Sequence, residues 1–128
     1  MAKILVIDDE QGIRDLLDTL LSRKGHNPVL ADSGQKGLEL LRSESPDVVV
    51  LDLKMPGMDG LTVLQEIRRI NFKLPVIVLT GAGTPESEQQ VRALGVTEYV
   101  EKEFSLHLLG DALKRVLPSP DTSDTASP

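Results

Sequence analysis

Residues 48–57 read VVVLDLKMPG: four aliphatic residues run into Asp52, and Pro56 and Gly57 then break the chain. A continuous aliphatic run of this length, bounded by turn formers, reads as a strand buried on both faces. Similar runs begin near residue 4 (ILVI) and residue 76 (VIVL), with weaker ones near 29 (VLA) and 96 (VTEYV). Between them lie segments long enough for helices. Ile13, Leu16, Leu17, Leu20 and Leu21 form an apolar stripe that Gly25 should stop. Ser33 caps a second helix carrying Leu38 and Leu41. Leu61, Leu64, Ile67 and Ile70 mark a third helix. A fourth opens at Thr84 and Pro85 and is anchored by Val91 and Leu94. The fifth carries Leu106, Leu109, Leu113, Val116 and Leu117, and Pro118 ends it.

Strand and helix alternate throughout, which predicts an α/β fold: a doubly wound, five-stranded parallel sheet with helices on both faces. The first, third and fourth strands are aliphatic throughout and belong in the interior. The second is short and follows Pro28, and the fifth alternates polar with apolar, so these two are expected at the edges. Keeping sequence neighbours adjacent in space then gives the order 2-1-3-4-5.

The chain has 128 residues, enough for one domain and too few for an eight-stranded barrel. Aromatic residues make up 2%, so the core must be built from Leu, Val and Ile. The net charge of −6 speaks against a nucleic-acid surface and suits cations or basic partners. Cysteine is absent, which excludes disulfides, thiolate chemistry and Cys-zinc sites. The opening MAKILVIDDE is too short in its apolar part for a signal peptide or membrane span, so a cytoplasmic setting without membrane attachment is expected. Residues 1–117 are read as the folded domain. Residues 118–128 (PSPDTSDTASP) lack the apolar content to order themselves and read as a flexible linker or tail.

In a sheet of this order, ligands bind beyond the carboxyl ends of the strands where the winding reverses, here between the first and third. Asp8, Asp9 and Glu10 end the first strand and Asp52 ends the third. Taken singly, each has a plain reading: DDE can cap the following helix, and Asp52 can be a turn former. Together they bring carboxylates close enough to repel, an arrangement that a cation relieves. Hard oxygen ligands favour Mg²⁺ with several waters retained. Thr80 and Lys102 end the fourth and fifth strands at the same edge. Alone, the first is an ordinary β-branched strand residue and the second a solvated lysine. Beside a metal-bound carboxylate, a hydroxyl and an ammonium make a place for a phosphoryl group. The first turn has no glycine-rich phosphate loop, so Rossmann or P-loop nucleotide binding is not expected.

With these residues in view, the chain resembles the receiver domain of two-component response regulators over residues 3–117. The matching positions are Asp8 and Asp9, Asp52, Thr80 and Lys102, together with the stretch DLKMPGMDG. The resemblance implies a flavodoxin-like fold with five helices and a switch rather than a metabolic enzyme. It makes Asp52 the phosphoacceptor for a histidine kinase or phosphotransfer protein. It also assigns Mg²⁺ to Asp9, Asp52 and the backbone carbonyl of Lys54, with Asp8 acting mainly through water. Lys102 would pair with the phosphoryl oxygens, Thr80 would move toward the phosphoryl group, and Tyr99 would turn inward on activation. A half-exposed aromatic on an edge strand is the plain reading of Tyr99. The altered surface would be that of the fourth helix, fifth strand and fifth helix, read by an effector domain or a downstream protein.

One position departs from the pattern. The family usually has proline after the lysine, and here Glu103 stands there. The family's peptide there is cis, and a cis peptide before a non-proline residue costs about 2.5–4 kcal/mol. Either that strain is retained or the loop is trans and Lys102 is re-aimed. An altered Lys102 loop, with phosphorylation or switching weakened or retuned, is the expectation. Glu103 leaves room for an alternative, an interaction-only pseudo-receiver. An aspartate-nucleophile phosphatase would want an acid two residues after Asp52, where Lys54 stands.

Overall fold

The computed structural model describes residues 2–53, 57, 59–71, 73–80, 85–96, 98–101 and 106–116. In chain order these form β1 (Lys3–Ile7), α1 (Gln11–Arg23), β2 (Asn27–Ala31), α2 (Gly34–Glu44), β3 (Val48–Asp52), α3 (Gly60–Ile70), β4 (Val76–Thr80), α4 (Pro85–Ala93), β5 (Glu98–Glu101) and α5 (Leu106–Val116). The strands make one parallel sheet in the order β2-β1-β3-β4-β5. The winding therefore reverses between β1 and β3, as the pattern of aliphatic runs predicts. Every residue of β3 is buried, whereas β2 begins exposed and is half-buried for most of its length.

Alternating side chains divide the core into two layers. Leu5, Ile7, Val49, Leu51, Val76 and Val78 face α2, α3 and α4 through Leu38, Leu41, Val63, Leu64, Ile67 and Val91. Ile4, Val6, Val48, Val50, Ile77 and Leu79 face α1 and α5 through Leu17, Leu21, Leu109, Ala112 and Leu113. Both layers are aliphatic, in keeping with the scarcity of aromatics.

The helix ends follow local chemistry. The Ser33 hydroxyl accepts from the Lys36 amide at 3.2 Å and starts α2. Gly25 takes a left-handed φ of 86° just after α1, a conformation that favours glycine. Asp59 caps α3 by accepting from the Thr62 amide at 2.9 Å, a signal present in the sequence as Asp-Gly before the apolar stripe. Two stripe residues do not reach the core. Leu16 of α1 is 43% exposed and Ile70 at the end of α3 is 42% exposed. The apolar stripes are wider than the faces the sheet covers. The Thr84 cap, the Pro118 stop and the 118–128 tail lie outside the described residues.

Candidate metal and phosphoacceptor site

Pairing brings the acidic residues to one edge. Ile4, Val6 and Asp8 alternate on one side of β1, and Val48, Val50 and Asp52 do so on β3. The last β1–β3 pair is Ile7 opposite Leu51, so Asp8 and Asp52 come next, side by side. Both are 1% exposed, the buried charged side chains among the described residues. The Asp8 amide continues the ladder by donating to the Ala31 carbonyl at 3.1 Å, and the Leu53 amide donates to Leu79 at 3.3 Å. Each carboxylate thus rises from a backbone that is still paired in the sheet.

The turn from β1 into α1 adds a third acid. The Glu10 amide donates to Asp8 Oδ1 at 2.9 Å, which closes a tight turn over the strand end. Glu10 is the N-cap residue of α1, but its side chain makes no capping hydrogen bond. Its carboxylate instead joins those of Asp8 and Asp52, with one oxygen from each lying within 4.8 Å of the others. Asp9 is exposed and stands outside this group. From α1, Arg14 Nη1 donates to the Asp8 carbonyl at 2.8 Å and fixes the turn from the helix side.

The donor set fits a hard divalent cation. It is all oxygen and all carboxylate, and its span leaves room for waters to complete an octahedron at about 2.0–2.1 Å. It holds no imidazole or thiolate that would favour zinc. Glu10 is the member that residue patterns under-weighted: it stands at the strand end in DDE, but only the closed turn shows which of the adjacent acids points at Asp52. Replacing Glu10 with Gln should weaken Mg²⁺ binding on the order of tenfold, the scale of removing one partly screened charge a few ångström from a divalent ion. Isothermal titration of Mg²⁺ into the two proteins measures this.

The remaining expected site residues divide. Thr80 closes β4 opposite Glu101 of β5, at the same sheet edge as Asp52. Lys54, Lys102 and Glu103 lie outside the described residues, as does the Lys102–Glu103 peptide. Tyr99 pairs with Val78 across the β4–β5 ladder. Its ring packs against the α2–α3–α4 side of the core, and its hydroxyl is buried with no hydrogen-bond partner among the described residues. The Arg92 guanidinium lies over the ring, 5.8 Å from its centre. Tyr99 is thus half-buried on the edge strand, as the plain reading expects, with its ring against that core layer.

Comparison with known proteins agrees with the fold. The family described as response regulator receiver domain matches residues 4–114. The sporulation initiation phosphotransferase F of Bacillus subtilis is 36% identical over 116 residues, covering 91% of this chain and 94% of that protein. A probable transcriptional regulator, ycf27, of Guillardia theta is 42% identical over 115 residues, covering 90% of this chain. The chain spans 45% of that regulator and about half the length of several other curated relatives it matches. Among solved structures, the response regulator TrrA of Thermotoga maritima, in complex with Mg²⁺ and BeF, superposes with a TM-score of 0.83 at 37% identity. It is covered completely, and 91% of this chain is matched.

Proposed function

The chain belongs to the response regulator receiver domain family, and from that membership we propose that Asp52 is the residue that takes the signal, as a phosphoryl group. The donor is the phosphohistidine of a histidine kinase or of a phosphotransfer protein. A carboxylate oxygen of Asp52 attacks phosphorus, the O–P bond forms as the N–P bond breaks, and the departing imidazole nitrogen keeps the electron pair and takes up a proton. Water later cleaves the acyl phosphate, releasing inorganic phosphate and restoring Asp52. The protein is a switch, and its own phosphorylation and dephosphorylation are the chemistry it performs.

The observation that carries this reading is the pair of buried carboxylates, Asp8 and Asp52, side by side at the winding reversal with Glu10 folded over them. A nucleophile on a fully buried strand is held rigidly, which is what in-line transfer needs. Asp8, Glu10 and Asp52 hold Mg²⁺ in this reading, with Asp9 and the Lys54 carbonyl as further donors. Bound there, the ion offsets the charge of the incoming phosphoryl group. Lys102 pairs with the phosphoryl oxygens and Thr80 donates to them, a bond that exists only in the phosphorylated state and so biases two conformations. The face of α4, β5 and α5 carries that change to an effector domain or a downstream protein. The site of action in this reading is the cytoplasm; no helix among the described residues is long and apolar enough to cross a membrane.

Incubation with Mg²⁺ and a small-molecule phosphodonor tests the proposal. One phosphoryl group should appear in the intact mass, disappear on treatment with hydroxylamine, and fail to appear when Mg²⁺ is chelated. Persistent absence of the added mass with Mg²⁺ present contradicts it.

A further inference from the structure

Among the described residues, the ties that hold the α4 helix to the rest of the fold lie at its C-terminal end. In its N-terminal part Glu86, Gln89 and Gln90 are exposed and Glu88 is half-buried. Its buried anchor is Val91, 1% exposed, and just past its end Leu94 packs against the same core layer. The strongest tie comes from Arg68 near the end of α3. Its Nε donates to the Leu94 carbonyl at 2.6 Å and its Nη2 to the Gly95 carbonyl at 3.0 Å. Its Nη1 donates to the carbonyls of Leu74 at 2.8 Å and Asn71 at 3.2 Å.

All these acceptors are main-chain oxygens, in the turn that ends α4 and in the loop from α3 to β4. A guanidinium is a rigid planar fork with five N–H donors, so it can bridge several carbonyls without bending. It sits where two helices end, and its charge opposes the negative ends of both. Desolvation by burial lowers its pKa from the usual guanidinium value. Gly95 keeps the turn tight at a left-handed φ of 79°.

We infer that Arg68 is a positioning residue that pins the C-terminal end of α4, so that the switch moves this helix as a lever about that end. The inference rests on the phosphorylation reading above. The end that carries the lever's movement begins at Pro85, five residues after Thr80 of the site. The helix has nine residues, a length of about 13 Å, so a tilt of roughly 10° displaces the moving end by about 2 Å while the pinned end stays in place.

The chain has no cysteine, so pairs of spin labels can be placed freely. Thr19→Cys on the exposed side of α1 serves as reference, combined with Glu86→Cys at the moving end or Ala93→Cys at the pinned end, all exposed positions. Electron–electron distances are measured with Mg²⁺, without and with beryllofluoride. The 86–19 distance should shift on the order of 1–2 Å with beryllofluoride, the size of known helix shifts in switches, and the 93–19 distance should stay. Arg68→Ala should broaden the 93–19 distribution in the resting protein and make it respond to beryllofluoride. Arg68→Lys, which keeps the charge and loses the fork, should fall between and serves if the alanine variant is poorly folded. Equal movement of both labels in the parent overturns the inference. So does no movement of either label when ¹⁹F spectra show beryllofluoride bound, or a 93–19 distribution that neither Arg68 variant alters. Failure of beryllofluoride to bind counts against the phosphorylation reading, and the resting-state comparison of the Arg68 variants still decides the pin.

Discussion

Asp52→Asn is expected to remove phosphoryl transfer from a small donor altogether, leaving the protein folded. The amide matches the carboxylate in shape but lacks the charge and nucleophilic oxygen that form the acyl phosphate. The same substitution should also change how Mg²⁺ affects stability. A cation that binds only the folded protein stabilises it by RT ln(1 + [L]/Kd), about 2.7 kcal/mol at a hundredfold excess over Kd. Asp52 shares a span of 4.8 Å with Asp8 and Glu10, so losing its charge should cut that gain by at least half. Urea unfolding of both proteins with and without Mg²⁺ measures the difference. Equal stabilisation by Mg²⁺ in parent and variant would place the ion elsewhere.

The second large effect is expected at Gly60, the first residue of α3. A Cβ added there would lie 2.5 Å from the Asp52 carbonyl oxygen and collide with the Leu53 Cα as well. Both obstacles are backbone, and both belong to the strand end that carries Asp52. The Gly60 amide also donates to the Leu53 carbonyl at 3.0 Å, tying the helix start to that segment. Gly60→Ala must push α3 and the Asp52–Leu53 peptide apart. The overpacking should cost about 1–3 kcal/mol in urea unfolding. A displaced acceptor should slow phosphorylation by roughly tenfold or more, because reactive geometry tolerates less than about 1 Å of error. Gly12 gives the opposite case: it lies in α1, and an added Cβ meets nothing within 4 Å. Gly12→Ala should therefore stabilise the protein by about 0.5–1 kcal/mol through helix propensity. Similar effects at the two glycines would refute the argument from close approach.

The fold was legible because strand burial writes itself into composition. The runs ILVI, VVVL and VIVL are aliphatic on both faces because helices cover both, and the edge strands show their exposure in Pro28 and in the alternation around Tyr99. The positions of Asp8 and Asp52 follow from the same rule, since a parallel register fixes which residues stand side by side at the strand ends. What residue patterns could not show is which acid of DDE turns toward Asp52. That depends on the Glu10 amide folding back onto Asp8, a geometry that spacing alone does not specify. The exposure of Leu16 and Ile70 was hidden for a similar reason: periodicity gives the direction of an apolar stripe but not how much of it a neighbour covers. Arg68 gave no signal, because its partners are backbone carbonyls, which every sequence has.

The most direct test of the central claim is the position of the phosphoryl group. The protein is phosphorylated with Mg²⁺ and a small phosphodonor, the acyl phosphate is trapped by borohydride reduction to homoserine, and the peptides are sequenced by mass spectrometry. The account predicts homoserine at position 52 and nowhere else. Homoserine at Asp8, Asp9 or another carboxylate, or none in a sample that carries the phosphoryl mass, would contradict it.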